Sequence, residues 1–296
     1  MAADAPHPAF SEYAGESVPQ AAPGTAGKDG RLALVFARSD GETRLVRDFA
    51  RAPFHVSGSL CHTDRTATVY VQSPSGGVAQ GDRREVSVTV GPEAHAHVTT
   101  GSATKVFSMA HNYAESGVSL SVAPGGHLDY VPEPLILHPD ARFYQSTTVD
   151  VAPGGSAVVG ELVVPGRLAR GEAFEFERYY TRTRLRSEGR LLVADDTHIR
   201  PGEADPQVPG VLGSDRVFGH LYVVAPTAEE AGLSDAVHRA VADGPATAGA
   251  TRLPNDAGLL VRATGETADP VRKQLRAGWT VARQQLVGAE APDRRK

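Results

Sequence analysis

The stretch VSVTVGPEAHAHVTT, Val86 to Thr100, returns as VSLSVAPGGHLDYV from Val118 and as TTVDVAPGGSAVVGE from Thr147, and these three copies decide the fold. Each begins with strict apolar and polar alternation, breaks at a proline, and alternates again, which is the pattern of strand, tight turn and strand. The turn prolines are Pro92, Pro124 and Pro153. Proline fixes φ at the first corner, and Gly125, Gly126, Gly154 and Gly155 offer left-handed conformations, so each copy is expected to be a β-hairpin. One hairpin cannot bury its own apolar face. The expected fold is therefore mainly β: stacked hairpins, a layered β-sandwich or a coil of sheets.

The same alternation runs outward from the repeats, with ATVYV at 67–71 as another short strand. Residues 1–28 are rich in Ala, Pro and Gly and are expected to be a disordered tail. Residues 29–205 form the β-rich body. Residues 206–296 change character and predict a smaller α+β lobe packed on it, with strands at Val217 to Val224 and Gly258 to Ala263. The lobe carries two helices. A short amphipathic one is expected over Thr227 to Val241. In the other, Val271, Leu275, Trp279, Ala282 and Leu286 share a face, with Asp269 as the N-cap and Pro270 at the first helical position.

Composition narrows the function. The 296 residues are 41% hydrophobic and 22% charged, with a net charge of −5, and no basic cluster larger than Arg294, Arg295 and Lys296 is present. Nothing there attracts nucleic acid. No apolar run approaches the roughly 20 residues that cross a bilayer, no secretory leader is visible, and the lone Cys61 cannot form an internal disulfide, so a cytoplasmic protein is expected.

Two motifs ask for chemistry: GGVAQGD, Gly76 to Asp82, and TTGSATKVF, Thr99 to Phe107. Gly76, Gly77 and Gly81 read as a turn or bulge between strands. Asp82 and Lys105 both look buried, which reads as an ion pair, as a carboxylate capping the glycine turn, or as part of a functional surface. GSATK lacks the spacing of a phosphate-binding loop, and no nucleophile elbow appears. His95 and His97 share one face of a strand and could ligate a divalent ion, but no closely spaced third ligand completes a site.

Taken in order, PFHV at Pro53, SPSGGVAQGD at Ser73, ATK at Ala103, YVPEPLILHPDARF at Tyr130, GR…GEAF at Gly166, and ATRL with LLVRA between Ala250 and Ala263 resemble the UreD (UreH) family of urease accessory proteins. The chain departs from the family in its long start, in a polar insert around Gly58 to Arg65, and in the charged ending APDRRK. The resemblance implies a mostly β fold with two helices. It also implies a non-catalytic, chaperone-like maturation factor that binds apo-urease and UreF, with the GTPase UreG recruited through UreF for nickel insertion. No tightly bound cofactor is implied, only transient Ni²⁺ in an internal passage.

Carried over residue by residue, the resemblance places Asp82 and Thr104 along that passage, beside Lys105 of the ATK motif, and Glu161 in VVGELVV. A further acid falls at Ala194 in strict register, next to Asp195 and Asp196, and another aligns nearest to Asp64. Two other classes stand beside this reading. A carbohydrate or small-ligand module is disfavoured by the 6% aromatic content. A hydrolase would use Asp82 and Glu161 as a carboxylate pair.

Overall fold

The computed structural model describes residues 7–17, 27–58, 60–61, 66–226 and 230–292. A short helix α1 (Ser11–Ala14) precedes a hairpin of β1 (Asp29–Ser39) and β2 (Glu42–Arg51). The small strands β3 (His55–Val56) and β4 (Leu60–Cys61) flank β5 (Ala67–Gln72), and β6 (Gly77–Val78) follows. The three sequence repeats are β7 (Arg83–Val90) to β8 (His95–Thr100), then, after β9 (Thr104–Val106), β10 (Ala114–Val122) to β11 (His127–Tyr130). After β12 (Leu135–Leu137), the third is β13 (Arg142–Val151) to β14 (Ser156–Val164). A second hairpin, β15 (Arg178–Ser187) and β16 (Arg190–Ile199), leads to β17 (Val217–Val224), α2 (Glu230–Ala242), β18 (Thr247–Arg252), β19 (Gly258–Gly265) and α3 (Ala268–Val287).

The repeats are not hairpins. β7, β10 and β13 lie side by side in parallel in one seven-stranded sheet, while β8, β11 and β14 lie in parallel in the twelve-stranded sheet facing it. Each repeat is thus an arch that leaves one layer and enters the other. The turn explains why. Gly91–Ala94, Ala123–Gly126 and Ala152–Gly155 each close with a bond from the fourth N–H to the first carbonyl, and Glu93, Gly125 and Gly154 take positive φ at the third position. Proline followed by positive φ is a type II turn, whose twist splays antiparallel strands instead of pairing them. Gly126 and Gly155, expected to be left-handed, are not; a Cβ there would lie 2.9 Å and 2.7 Å from a carbonyl oxygen of the turn stacked below.

Stacking is in register. Val86 pairs with Val118 and Val118 with Thr147 in one sheet, and His95 with His127 and His127 with Ser156 in the other, so the sequence period is the strand register itself. The layered sandwich and coil of sheets are present; hairpins lie outside the three repeats, as in β1 with β2, β15 with β16 and β18 with β19. The lobe's β17, β19 and β18 extend the twelve-stranded sheet antiparallel from β14, and α2 and α3 cover its outer face through Leu233, Val237, Val241, Val271, Leu275 and Trp279. α3 begins two residues earlier than expected: Thr267 occupies the N-cap without a side-chain bond, and Asp269 lies in the first turn.

Within the segment expected as a tail, residues 7–17 are placed on the seven-stranded sheet instead. Phe10 and Tyr13 bury against Tyr113 and Tyr144, and Arg178 pairs with Glu12 at 2.7 Å. Four aromatic rings in contact outweigh the Ala and Pro content around them. Among the described residues no helix is long and apolar enough to cross a membrane.

Candidate functional site

Because the rows are in register, the sandwich interior is built in layers two residues apart along each strand. Val88, Leu120, Val149 and Leu185 make one wall of a fully apolar layer, facing Ala96, Leu128 and Ala157. One step on, Val86 and Val118 continue into Thr147 and Thr183. The next row is wholly polar: Arg84, Ser116, Gln145 and Thr181 stand side by side across β7, β10, β13 and β15. Opposite it, Glu161 of β14 pairs with His220 of β17. Between these walls lies a cavity of about 90 Å³, also lined by Tyr130, Thr104 and Tyr222, with room for several waters.

Glu161 is held from three sides. Gln145 donates Nε2–H to its Oε1 at 2.6 Å, the Tyr179 hydroxyl donates to Oε2 at 2.9 Å, and His220 Nε2 lies 3.5 Å from Oε2. Burial lowers the His220 pKa against the pull of Glu161 and Asp195, so its imidazole is neutral near pH 7. Burial and Glu161 together raise the Tyr179 pKa well above its ordinary value, keeping that hydroxyl a donor. Beside Thr183, Asp195 accepts from the Tyr222 hydroxyl at 2.6 Å and from Arg262 at 2.7 Å. Burial raises its pKa, but the bonds from Tyr222 and Arg262 outweigh this and leave it below the usual carboxylate range. On its other flank Glu161 also lines a groove of about 650 Å³ bounded by Pro132, Leu275 and Trp279, so it stands where the interior and the outer face beside α3 meet.

The sequence-derived residues divide. Glu161, Thr104 and, through Tyr222, Asp195 converge on the cavity. Asp82 is fully buried but is not among the cavity-lining residues; its carboxylate accepts the backbone N–H groups of Lys28 and Ala79, each at 2.9 Å, which is the capping arrangement. Lys105 is exposed, and among the described residues it forms no ion pair with Asp82, so the expected burial is wrong. The apolar neighbours that suggested burial flank it in a three-residue strand, where alternation turns Val106 inward and Lys105 out. Gly77 belongs to β6, where a Cβ would clash with the Lys105 carbonyl oxygen, and Gly76 and Gly81 take positive φ at the bends around it. Asp64 lies outside the described residues. The hydrolase pair of Asp82 and Glu161 does not share the cavity.

Sequence reading missed Arg84, Gln145, His220 and Tyr222. Arg84 was detectable, since it is in phase with the inward-facing Val86, Val88 and Val90. His220 gave no such signal, because only pairing across β14 and β17 brings it to Glu161.

A second buried polar cluster lies on the opposite face of the same sheet, under α3. Asp129 accepts from Trp279 Nε1–H at 2.6 Å, lies 3.2 Å from His127 Nε2 and 3.1 Å from Arg283 Nε. Arg283 also donates to Thr66 Oγ1 at 3.1 Å and to the Glu290 carbonyl at 2.9 Å. Burial alone would raise the Asp129 pKa, but His127, Arg283 and His97 hold it at about 2. His97 is buried here against the Trp279 ring, while His95 is only partly buried. Among the described residues no three His, Cys, Asp or Glu side chains are grouped to hold a metal.

Comparison with known proteins matches the chain over nearly its whole length. The chain is 57% identical over 298 residues to a urease accessory protein UreD of Haloarcula marismortui, covering 100% of both chains. It is 42% identical to one of Natronomonas pharaonis, covering 97% of this chain and 98% of that one, and 39% identical to one of Haloquadratum walsbyi at 99% coverage of each. The family described as UreD urease accessory protein matches residues 28–296, from the start of β1 through the layered interior to α3 and beyond, and the chain belongs to that family.

Proposed function

We propose that the chain is a non-catalytic maturation scaffold in the cytoplasm. It binds apo-urease and UreF, receives UreG through UreF, and assists GTP-dependent insertion of Ni²⁺ by passing the ion through its polar interior. Family membership supports the role in urease maturation. The observation that carries the passage is Glu161, one carboxylate that faces both the interior cavity and the groove beside α3.

The chemistry suits cargo in transit. Ni²⁺ ranks high in the affinity order for nitrogen and sulfur ligands, and a free ion would be captured elsewhere. A conduit needs stations that bind weakly enough to release. Glu161 with the neutral imidazole of His220, followed by Asp195 beyond Tyr222, offers separated donors and no closed cage. Asp82 is engaged by backbone N–H groups and takes a structural place in this reading.

The test is co-expression with the urease subunits, UreF and UreG. Wild-type chain is expected to co-purify with them, and Glu161→Gln to co-purify equally while the urease produced contains less nickel by metal analysis. A chain that ignores all these partners would sink the scaffold; full nickel loading with Glu161→Gln would sink the passage alone.

A further inference from the structure

Arg84 is a cation with no carboxylate in ion-pair contact among the described residues. Its Nε is wholly buried and has no hydrogen-bond partner, and among the described residues it joins no salt bridge; its guanidinium packs over the Phe54 ring at 4.6 Å. The carboxylates on hand are already engaged: Asp82 by the N–H groups of Lys28 and Ala79, Glu161 by Gln145, Tyr179 and His220, and Glu133, which also lines the cavity, by Arg272 at 3.6 Å. Burial lowers the Arg84 pKa, countered in part by Tyr130 and Asp82. Arginine does not shed its proton in proteins, so neutralisation offers no relief. A half-buried charge whose Nε is shut off from water without a hydrogen bond calls for a partner.

The surroundings say which. Arg84 lines the cavity with Ser116 and Thr181 in its own row, both buried, and their hydroxyls can donate to a bound oxygen. A volume of about 90 Å³ admits a few heavy atoms and excludes a nucleotide or a sugar. The planar fork of a guanidinium matches two oxygens of one planar group. We infer that this cavity is a binding site for a small planar oxyanion of the formate or bicarbonate class, held by the Arg84 fork with the Ser116 and Thr181 hydroxyls beside it. The anion would neutralise Arg84 in the layer that also holds Glu161. The site stands on Arg84 and its row, whether or not nickel crosses the cavity.

The test uses the full chain alone, without nickel or urease, titrated with ¹³C-formate in chloride-free buffer and read by NMR line broadening. Wild type is expected to saturate, with nitrate competing and the bulkier phosphate not competing. Arg84→Met should weaken binding about tenfold to a hundredfold, the range expected for charged hydrogen bonds. Arg84→Lys, which keeps the charge and loses the fork, should fall between. Thr181→Val changes little volume and should bind severalfold more weakly. Absence of saturable binding to wild type overturns the inference, as does a folded Arg84→Met that binds formate like wild type. If neither Arg84 variant folds, unchanged binding by Thr181→Val without nitrate competition overturns it equally. Because partners and metal are absent, failure here leaves the co-purification result untouched.

Discussion

Two buried polar clusters lie back to back on the same sheet, separated by one strand alternation: Asp129 faces α3, and its neighbour Tyr130 faces the cavity that Glu161 lines. They are opposite in kind. Around Asp129 the partners close in from Trp279, His127 and Arg283 at 2.6–3.2 Å. Around Glu161 and Arg84 there is open volume, a neutral imidazole and a cation with no salt bridge among the described residues. A carboxylate matched by cations at close range fixes one arrangement and suits holding α3 on the sheet. An incompletely matched set leaves places for something to enter.

That contrast predicts unequal costs. Arg283→Met removes one partner of Asp129 and leaves a buried carboxylate short of its counter-charge, which should destabilise the chain by about 3–5 kcal/mol in denaturant unfolding. A loss below about 1 kcal/mol would mean that the α3 cluster is no clamp. Acid should find the same weak point. The folded Asp129 pKa of about 2 lies below its ordinary 3.8, so its stabilisation is complete above roughly pH 4 and is lost as pH falls towards about 2. In a pH series of melting temperatures, Asp129→Asn should flatten that acid limb; an unchanged limb would assign the loss to other carboxylates. The smallest structural effect is expected at the other cluster. Glu161→Gln keeps size and much of the bonding from Gln145 and Tyr179, so its stability should change by only about 1–2 kcal/mol while nickel content falls. A large destabilisation would make Glu161 another clamp and erase the distinction.

Much of the fold was legible in the repeats. Pro92, Pro124 and Pro153 marked three stacked turns, and the spacing between copies equals the register of the parallel strands. The arch was misread as a hairpin, although proline before a positive-φ residue already favoured a type II turn that splays its strands. Lys105 was misjudged because apolar neighbours in a short strand do not say which face the middle residue takes. Phe10 and Tyr13 were overlooked because their contacts are with residues about a hundred or more positions away, Tyr113 and Tyr144.

By itself, the sequence determined the alternation, the turn positions, the two lobe helices and the family resemblance, since each is written in local spacing or in ordered motifs. Tertiary structure alone decided which rows face each other. Arg84 and Glu161 come from opposite sheets, and His220 reaches Glu161 only through antiparallel pairing of strands separated by more than fifty residues. Local propensity cannot encode such meetings, because the free energy that selects them comes from burying both sheets at once.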